Sequence, residues 1–206
     1  MNNDLTTRYY DVILETRESG ENGTITGRPI VYNSRTNLGC FDEVIETGAL
    51  DSADLTDVRL CLNHDTSYVY ARSRRNNPNS TMRLGLDMNG MNIEADLAIN
   101  ESPRARDFYS AVKRGDIDKM SFMFSIDDEE WENLESDHPT RHIRKIGSVV
   151  EVSAVTFPAY KSTEINARSV EALENARAAV ETARAASVET DELELAKAKY
   201  EFKSKF

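Results

Sequence analysis

The run from Ile146 to Phe157 sets the strongest limit on what this chain can become. Val149, Val150, Val152 and Val155 put β-branched side chains on both faces of an extended segment, the pattern of a strand covered on both sides. Glu151 stands among them, and an ionised carboxylate there must find a partner, because desolvating it unpaired is strongly unfavourable. A histidine imidazolium or an arginine such as Arg144 would answer that demand.

A second strand is predicted across Met120–Ile126. Period-two alternation places Met120, Phe122, Phe124 and Ile126 on one face and Ser121, Met123 and Ser125 on the other, so Ser121 faces away from the apolar side. A serine hydroxyl attacks a carbonyl only where a base and a charge-stabilising group can reach it. Asp57–Leu62 reads as a third strand, with Val58, Leu60 and Leu62 sharing a face with His64 just beyond its end. Histidine, with an unperturbed pKa of about 6.5, suits a general base at neutral pH. His64, Ser121 and Glu151 thus follow one another as base, nucleophile and carboxylate, each on or beside a strand.

The remaining elements frame these. Tyr9–Glu15 and Thr24–Tyr32, separated by turn formers from Ser19 to Gly23, predict a hairpin. Phe41–Leu50 reads as a short strand or turn leading into a brief helix. Thr81–Leu86 and Met91–Ile99 predict a second hairpin across Asp87-Met88-Asn89-Gly90, with Asn-Gly supplying positive φ. Ser102 caps a helix that Pro103 opens and Gly115 ends, with Ala105, Phe108, Ala111 and Val112 as its apolar stripe. Asp127–Glu132 reads as a solvated loop or edge strand, and Arg141–Ile146 as an edge strand with its basic side chains outward. From Ala167 onward there is no Gly or Pro, and Ala, Glu, Arg and Lys dominate. That composition predicts a partly docked or flexible helical extension, broken at Ser187–Thr190.

Charge and special residues exclude several functions. A net charge of -11 disfavours binding to nucleic acid or anionic membrane through phosphate contacts. No apolar run could cross a bilayer and Met1–Leu5 lacks the features of a signal peptide, so a cytosolic location is expected. Cys40 and Cys61 are expected as free thiols, Cys61 as a packing residue rather than a nucleophile. His138 and His142 have a helical zinc-ligand spacing, but Pro139 intervenes and no second pair complements them. Neither a metal nor a cofactor is expected.

Gly27-Arg28-Pro29-Ile30-Val31-Tyr32-Asn33, the run Phe41–Leu50, Leu62-Asn63-His64-Asp65, Ala105-Arg106-Asp107-Phe108, Arg114-Gly115-Asp116-Ile117, the run Lys119–Phe124 and the run Glu151–Ala159 follow one another at compatible spacing between about Tyr9 and Asn166. Together they resemble the tailed-phage prohead (capsid maturation) protease family. The resemblance implies an α+β fold over residues 1–166, a mostly antiparallel β-barrel with a few flanking helices similar to the herpesvirus maturational protease, and a helical extension over 167–206. It implies a serine endopeptidase inside the immature capsid (prohead) in the host cytoplasm. Its substrates would be the scaffolding segment of the major capsid protein and then itself, and a weak homodimer would fit.

Carried over by position, His64 is the general base, Ser121 the nucleophile and Glu151 the acidic third member, with Asp65 as the alternative. Arg141 and Arg144 are positional candidates for oxyanion-hole donors. Many relatives have glycine where this chain has Met123, which implies a different pocket near the nucleophile. By analogy the extension is either cleaved off or binds the scaffold. The rival class is a non-catalytic assembly module that keeps the protease fold. A small-molecule esterase is disfavoured, because the chain lacks a Gly-X-Ser-X-Gly elbow.

Overall fold

The structure, a computed structural model, describes residues 5–10, 14–19, 22–156 and 167–203. Within them the chain forms β1 (Thr6–Tyr10), β2 (Glu15–Ser19), β3 (Asn22–Val31), β4 (Thr36–Asn37), β5 (Asp42–Ile45), β6 (Val58–Leu62), β7 (Ala71–Ser73), β8 (Met82–Asp87), β9 (Gly90–Leu97), α1 (Pro103–Arg114), β10 (Lys119–Glu132), β11 (Thr140–Val155) and α2 (Ala167–Lys203). The Phe157-Pro158-Ala159 end of the last family-like segment, and the expected domain boundary at residue 166, lie outside the described residues.

Two sheets carry the fold. The first runs β1-β10-β11-β5-β4, with β6 also paired to β11 and β7 to β6; the second runs β2-β3-β9-β8. β11 is the hub because its buried valines need cover on both faces. It pairs antiparallel with β10, and on its other edge takes β5 in parallel along Thr140–Ile143 and β6 in parallel along Glu151–Ala154. Asp127–Glu132 and Arg141–Ile146, expected as separate edge pieces, are continuations of β10 and β11. Their opposite charges face each other across the hairpin: Arg144 holds Asp128 and Glu130, and Arg141 holds Glu129. Arg141 does not point outward as expected but is buried.

The β10–β11 register slips at several points between Met123 and Glu129. Each slip bends and twists the pair, and the first sheet rolls over on itself. Arg8 on edge strand β1 consequently reaches Glu43 on β5, with Nε–Oε1 at 2.5 Å and Nη2–Oε2 at 2.8 Å. The closed barrel expected from the sequence is nevertheless not formed among the described residues, because no ladder joins the two sheets. Arg75 (φ 55°) and Asn76 (φ 51°) turn the chain out of the ladder after β7. The Asn76 side chain then stands in for a strand, accepting from Leu84 N–H and donating to Leu84 O, both at 2.9 Å.

The predicted first hairpin is also redistributed. β1 joins the first sheet beside β10, while β2 forms the hairpin with β3 in the second. Residues 11–13 between them lie outside the described set. The second hairpin forms, with Asp87 opposite Gly90 across a Met88-Asn89 loop. Gly90 takes the positive φ, 131°, and a Cβ there would stand 2.1 Å from the Ile30 carbonyl oxygen, so only glycine fits. α1 is built as read: Ser102 Oγ accepts from Ala105 N–H at 3.3 Å, and Gly115 caps the end at φ 76°. Phe108 and Val112 enter a single core with Ile25, Leu60, Met91, Phe122 and Val152.

α2 runs unbroken through Ser187–Thr190. Thr190 Oγ1 donates to the Ala186 carbonyl at 2.9 Å, which satisfies the hydroxyl without interrupting the helix. Ala176 and Val180 pack on Leu38 and Phe41 beside Trp131 and Leu134. Arg184 donates to the carbonyls of Leu134 and Ser136 at 3.0 and 2.7 Å. Among the described residues, no helix is long and apolar enough to cross a membrane.

Candidate active site

β6 ends at Leu62, and the chain turns through two consecutive left-handed residues, Asn63 (φ 53°) and His64 (φ 60°). Such conformations persist in non-glycine residues where the surroundings hold them. Here Asn63 N–H donates to Ala154 O at 2.9 Å, and Asn63 Oδ1 accepts from the Thr156 amide and hydroxyl at 3.0 and 3.2 Å. His64 N–H donates to Ser153 Oγ at 3.0 Å. The turn folds the imidazole back over β11, where Nδ1 lies 2.8 Å from Glu151 Oε2.

The side chains of this pair are 13% and 3% exposed, so solvent screens it little. An ionised carboxylate can only accept, so a neutral imidazole bonded to it through Nδ1 must carry its proton there and leave Nε2 as the basic nitrogen. Glu151 Oε1 has no hydrogen-bond partner among the described residues. Asp65, the alternative, is turned away. Its carboxylate accepts from the Ser67 amide at 3.0 Å and hydroxyl at 2.5 Å, and these bonds hold its pKa below the usual carboxylate value.

Ser121 stands on β10 directly opposite Ser153 of β11, and Ser153 is level with Cys61 of β6. Lateral neighbours share a sheet face, so these residues form one row and Glu151, opposite Met123, belongs to the next. Ser121 is therefore one strand away from the imidazole–carboxylate pair, on the same face. It does face away from Phe122 and Phe124, yet it is not solvated: it is fully buried, and its hydroxyl donates to the Arg8 carbonyl of β1 at 2.7 Å. A hydroxyl has one proton, and here that proton rests on Arg8 rather than on the imidazole.

The other candidates separate from this group. Burial first, and then the charge of Glu151, push the Cys61 thiol up to about 12, which removes the thiolate a cysteine nucleophile needs. Arg144 is committed to Asp128 and Glu130. Arg141 is committed to Glu129 and to the buried Glu43, 3.6 Å away, and lies over the Trp131 ring. Neither guanidinium is offered to Ser121. His138 bonds Asp42 and His142 lies between Glu46 and Glu132. Among the described residues, no group of three or more His, Cys, Asp and Glu side chains is arranged to hold a metal ion.

Three residues of the site escaped the sequence reading. Ser153 was findable, since it lies two positions from Glu151 and period two puts both on one face. Arg8 and Glu43 carry no local signal, because they meet only through the roll of the sheet. A sequence model of the caudovirus prohead serine protease family matches residues 11–176. No curated protein and no solved structure matches the chain.

Proposed function

The chain belongs to the caudovirus prohead serine protease family, and from that premise we propose that it is the serine endopeptidase that processes the major capsid protein or its scaffolding segment, and itself, inside the prohead in the host cell. In this reading residues 1–166 are the catalytic unit and 167–206 an extension lost by self-cleavage. The rolled first sheet is an opened relative of the herpesvirus-protease barrel, and a weak homodimer fits the same reading.

The observation that carries the proposal is the buried His64–Glu151 pair at 2.8 Å, one strand from Ser121. Glu151 holds the imidazole with Nε2 as the base. Ser121 rotates from the Arg8 carbonyl to the imidazole, attacks the scissile carbonyl carbon and gives its proton to Nε2. The imidazolium, stabilised by Glu151, passes that proton to the leaving amine. Water then repeats the sequence on the acyl-enzyme and frees Ser121.

Co-expression with the capsid protein tests this. Wild type is expected to yield processed capsid protein and a chain shortened at its C-terminus by intact mass, and Ser121→Ala neither. Equal processing by both would sink the assignment. One observation favours a second reading, a non-catalytic assembly module: the Ser121 hydroxyl is buried and already engaged. Normal particle assembly with no processing by either chain would select it.

A further inference from the structure

We infer that the edge of β10 beside Ser121 is a docking groove for an extended peptide bearing a basic residue, and that β1 is its intramolecular occupant. The inference rests on the serine-protease reading for the role of Ser121. Among the described residues, β1 lies at the end of its sheet and pairs with β10 alone, in register from Thr6↔Phe124 to Tyr10↔Met120. A strand held only on one side can be exchanged for another, because the edge beneath it offers the same backbone donors and acceptors to any extended chain.

Two contacts set β1 apart from an ordinary edge strand. Its Arg8 carbonyl oxygen lies 2.7 Å from Ser121 Oγ, so the Arg8–Tyr9 peptide unit is the one presented to the nucleophile. Its Arg8 guanidinium forks onto both oxygens of Glu43, whose side chain is 0% exposed. Arg141 also approaches Glu43, at 3.6 Å, but divides its charge with Glu129. When β1 leaves, a fully buried carboxylate keeps, among the described residues, only that shared ion-pair partner. The groove therefore selects an occupant that brings its own cation.

A buried ion pair is a weak source of stability compared with apolar contact of the same volume, and its best-attested use is in fixing register or a switch. The register fixed here sets a backbone carbonyl on Ser121 and draws the serine proton away from His64. The site is latent while β1 is seated. A substrate segment replaces β1, placing a lysine or arginine on Glu43 and the carbonyl of that residue at Ser121.

The test uses the full chain. An alkyl fluorophosphonate labels Ser121 and the rate is followed by intact mass, with Ser121→Ala as the control. Arg8→Gln is expected to label at least about tenfold faster than wild type, since one partner of a buried charge pair is lost. A peptide carrying the Thr6–Tyr10 sequence should slow that labelling, and the same peptide with glutamine in place of arginine should not. Equal rates in both chains, or equal slowing by both peptides, overturns the inference. Should Arg8→Gln not fold, the same peptide competition on wild type decides in the same way.

Binding of the two peptides, fluorescently tagged, is read separately by anisotropy on the full chain. If the fluorophosphonate labels nothing, the serine-protease reading falls, while selective binding of the arginine peptide still upholds the groove. Absent or equal binding of the two peptides removes it.

Discussion

Glu151 and Glu43 are both strand glutamates in the same sheet, 2% and 0% exposed, and they differ in what answers their charge. Glu43 is held by Arg8 and Arg141, guanidiniums that stay charged at any working pH. Glu151 is held by the His64 imidazole and keeps one oxygen without a hydrogen-bond partner among the described residues. The charges that answer Glu43 do not change with pH. Glu151 gains its full partner only when a proton arrives on His64, which is the moment a hydroxyl is being deprotonated. Burial alone does not mark a carboxylate as chemical; a partner that can change its charge does.

The largest expected effect tests the Glu151 side of this contrast. Glu151→Gln keeps the shape of the side chain but cannot stabilise an imidazolium, and its amide can present a donor to Nδ1. Turnover of a capsid-derived peptide should fall on the order of 10³–10⁴-fold, with the urea midpoint nearly unchanged. A small loss of turnover beside a large loss of stability would make the pair structural.

Glu43→Ala should show the large loss of stability that Glu151→Gln does not. It leaves two largely buried arginines, Arg8 and Arg141, without their shared carboxylate, and removal of one member of a buried ionic group destabilises by about 3–5 kcal/mol. Urea unfolding monitored at Trp131 measures this. A change below about 1 kcal/mol, the range of exposed pairs, would erase the distinction between the two glutamates.

The Glu151 half of this comparison was legible in the sequence and the Glu43 half was not. A carboxylate in a valine-rich strand demands a partner, a histidine just past another strand can supply it, and alternation placed Ser121 on the face away from Phe122. These are local rules. The Arg8–Glu43 contact depends on slips of register between Met123 and Glu129, which leave no mark on periodicity. Alternation also assigns a face without saying what covers it, so Ser121 read as outward and is buried beside β1. The barrel was misjudged at a seam where Arg75 and Asn76 leave the ladder in left-handed conformations. The expected break in α2 overlooked a hydroxyl satisfied within the helix at Thr190.

Cys61 gives a smaller test, because burial and the neighbouring Glu151 push its thiol from 9.0 up to about 12. The folded state favours the neutral thiol, so this contribution to stability is complete below about pH 9 and lost as pH rises toward 12. Urea midpoints of wild type should fall across that window more steeply than those of Cys61→Ala. Glu151→Gln should also raise Cys61 alkylation a few-fold, since thiolate character follows local charge. Glu43→Ala, judged on folded protein, should leave that rate alone, because Glu43 is not among the charges acting on the thiol. Equal alkylation in all three chains would mean that the Glu151 charge does not reach the neighbouring row that holds Cys61.

The smallest effect is expected at Arg144. It pairs with Asp128 and Glu130 across the exposed part of the β10–β11 hairpin, where salt and solvent screen the attraction and two long side chains lose freedom to hold it. Arg144→Ala should leave peptide turnover unchanged and shift the urea midpoint hardly at all. Arg141→Ala, three residues back along β11 and buried, should destabilise clearly, since it withdraws support from Glu43 and from the Trp131 ring. If Arg144→Ala instead lowered turnover with stability intact, the hairpin would have to fold toward Ser121 during catalysis and that arginine would return as an oxyanion donor. The two buried glutamates would then no longer account for the charges that matter to the reaction.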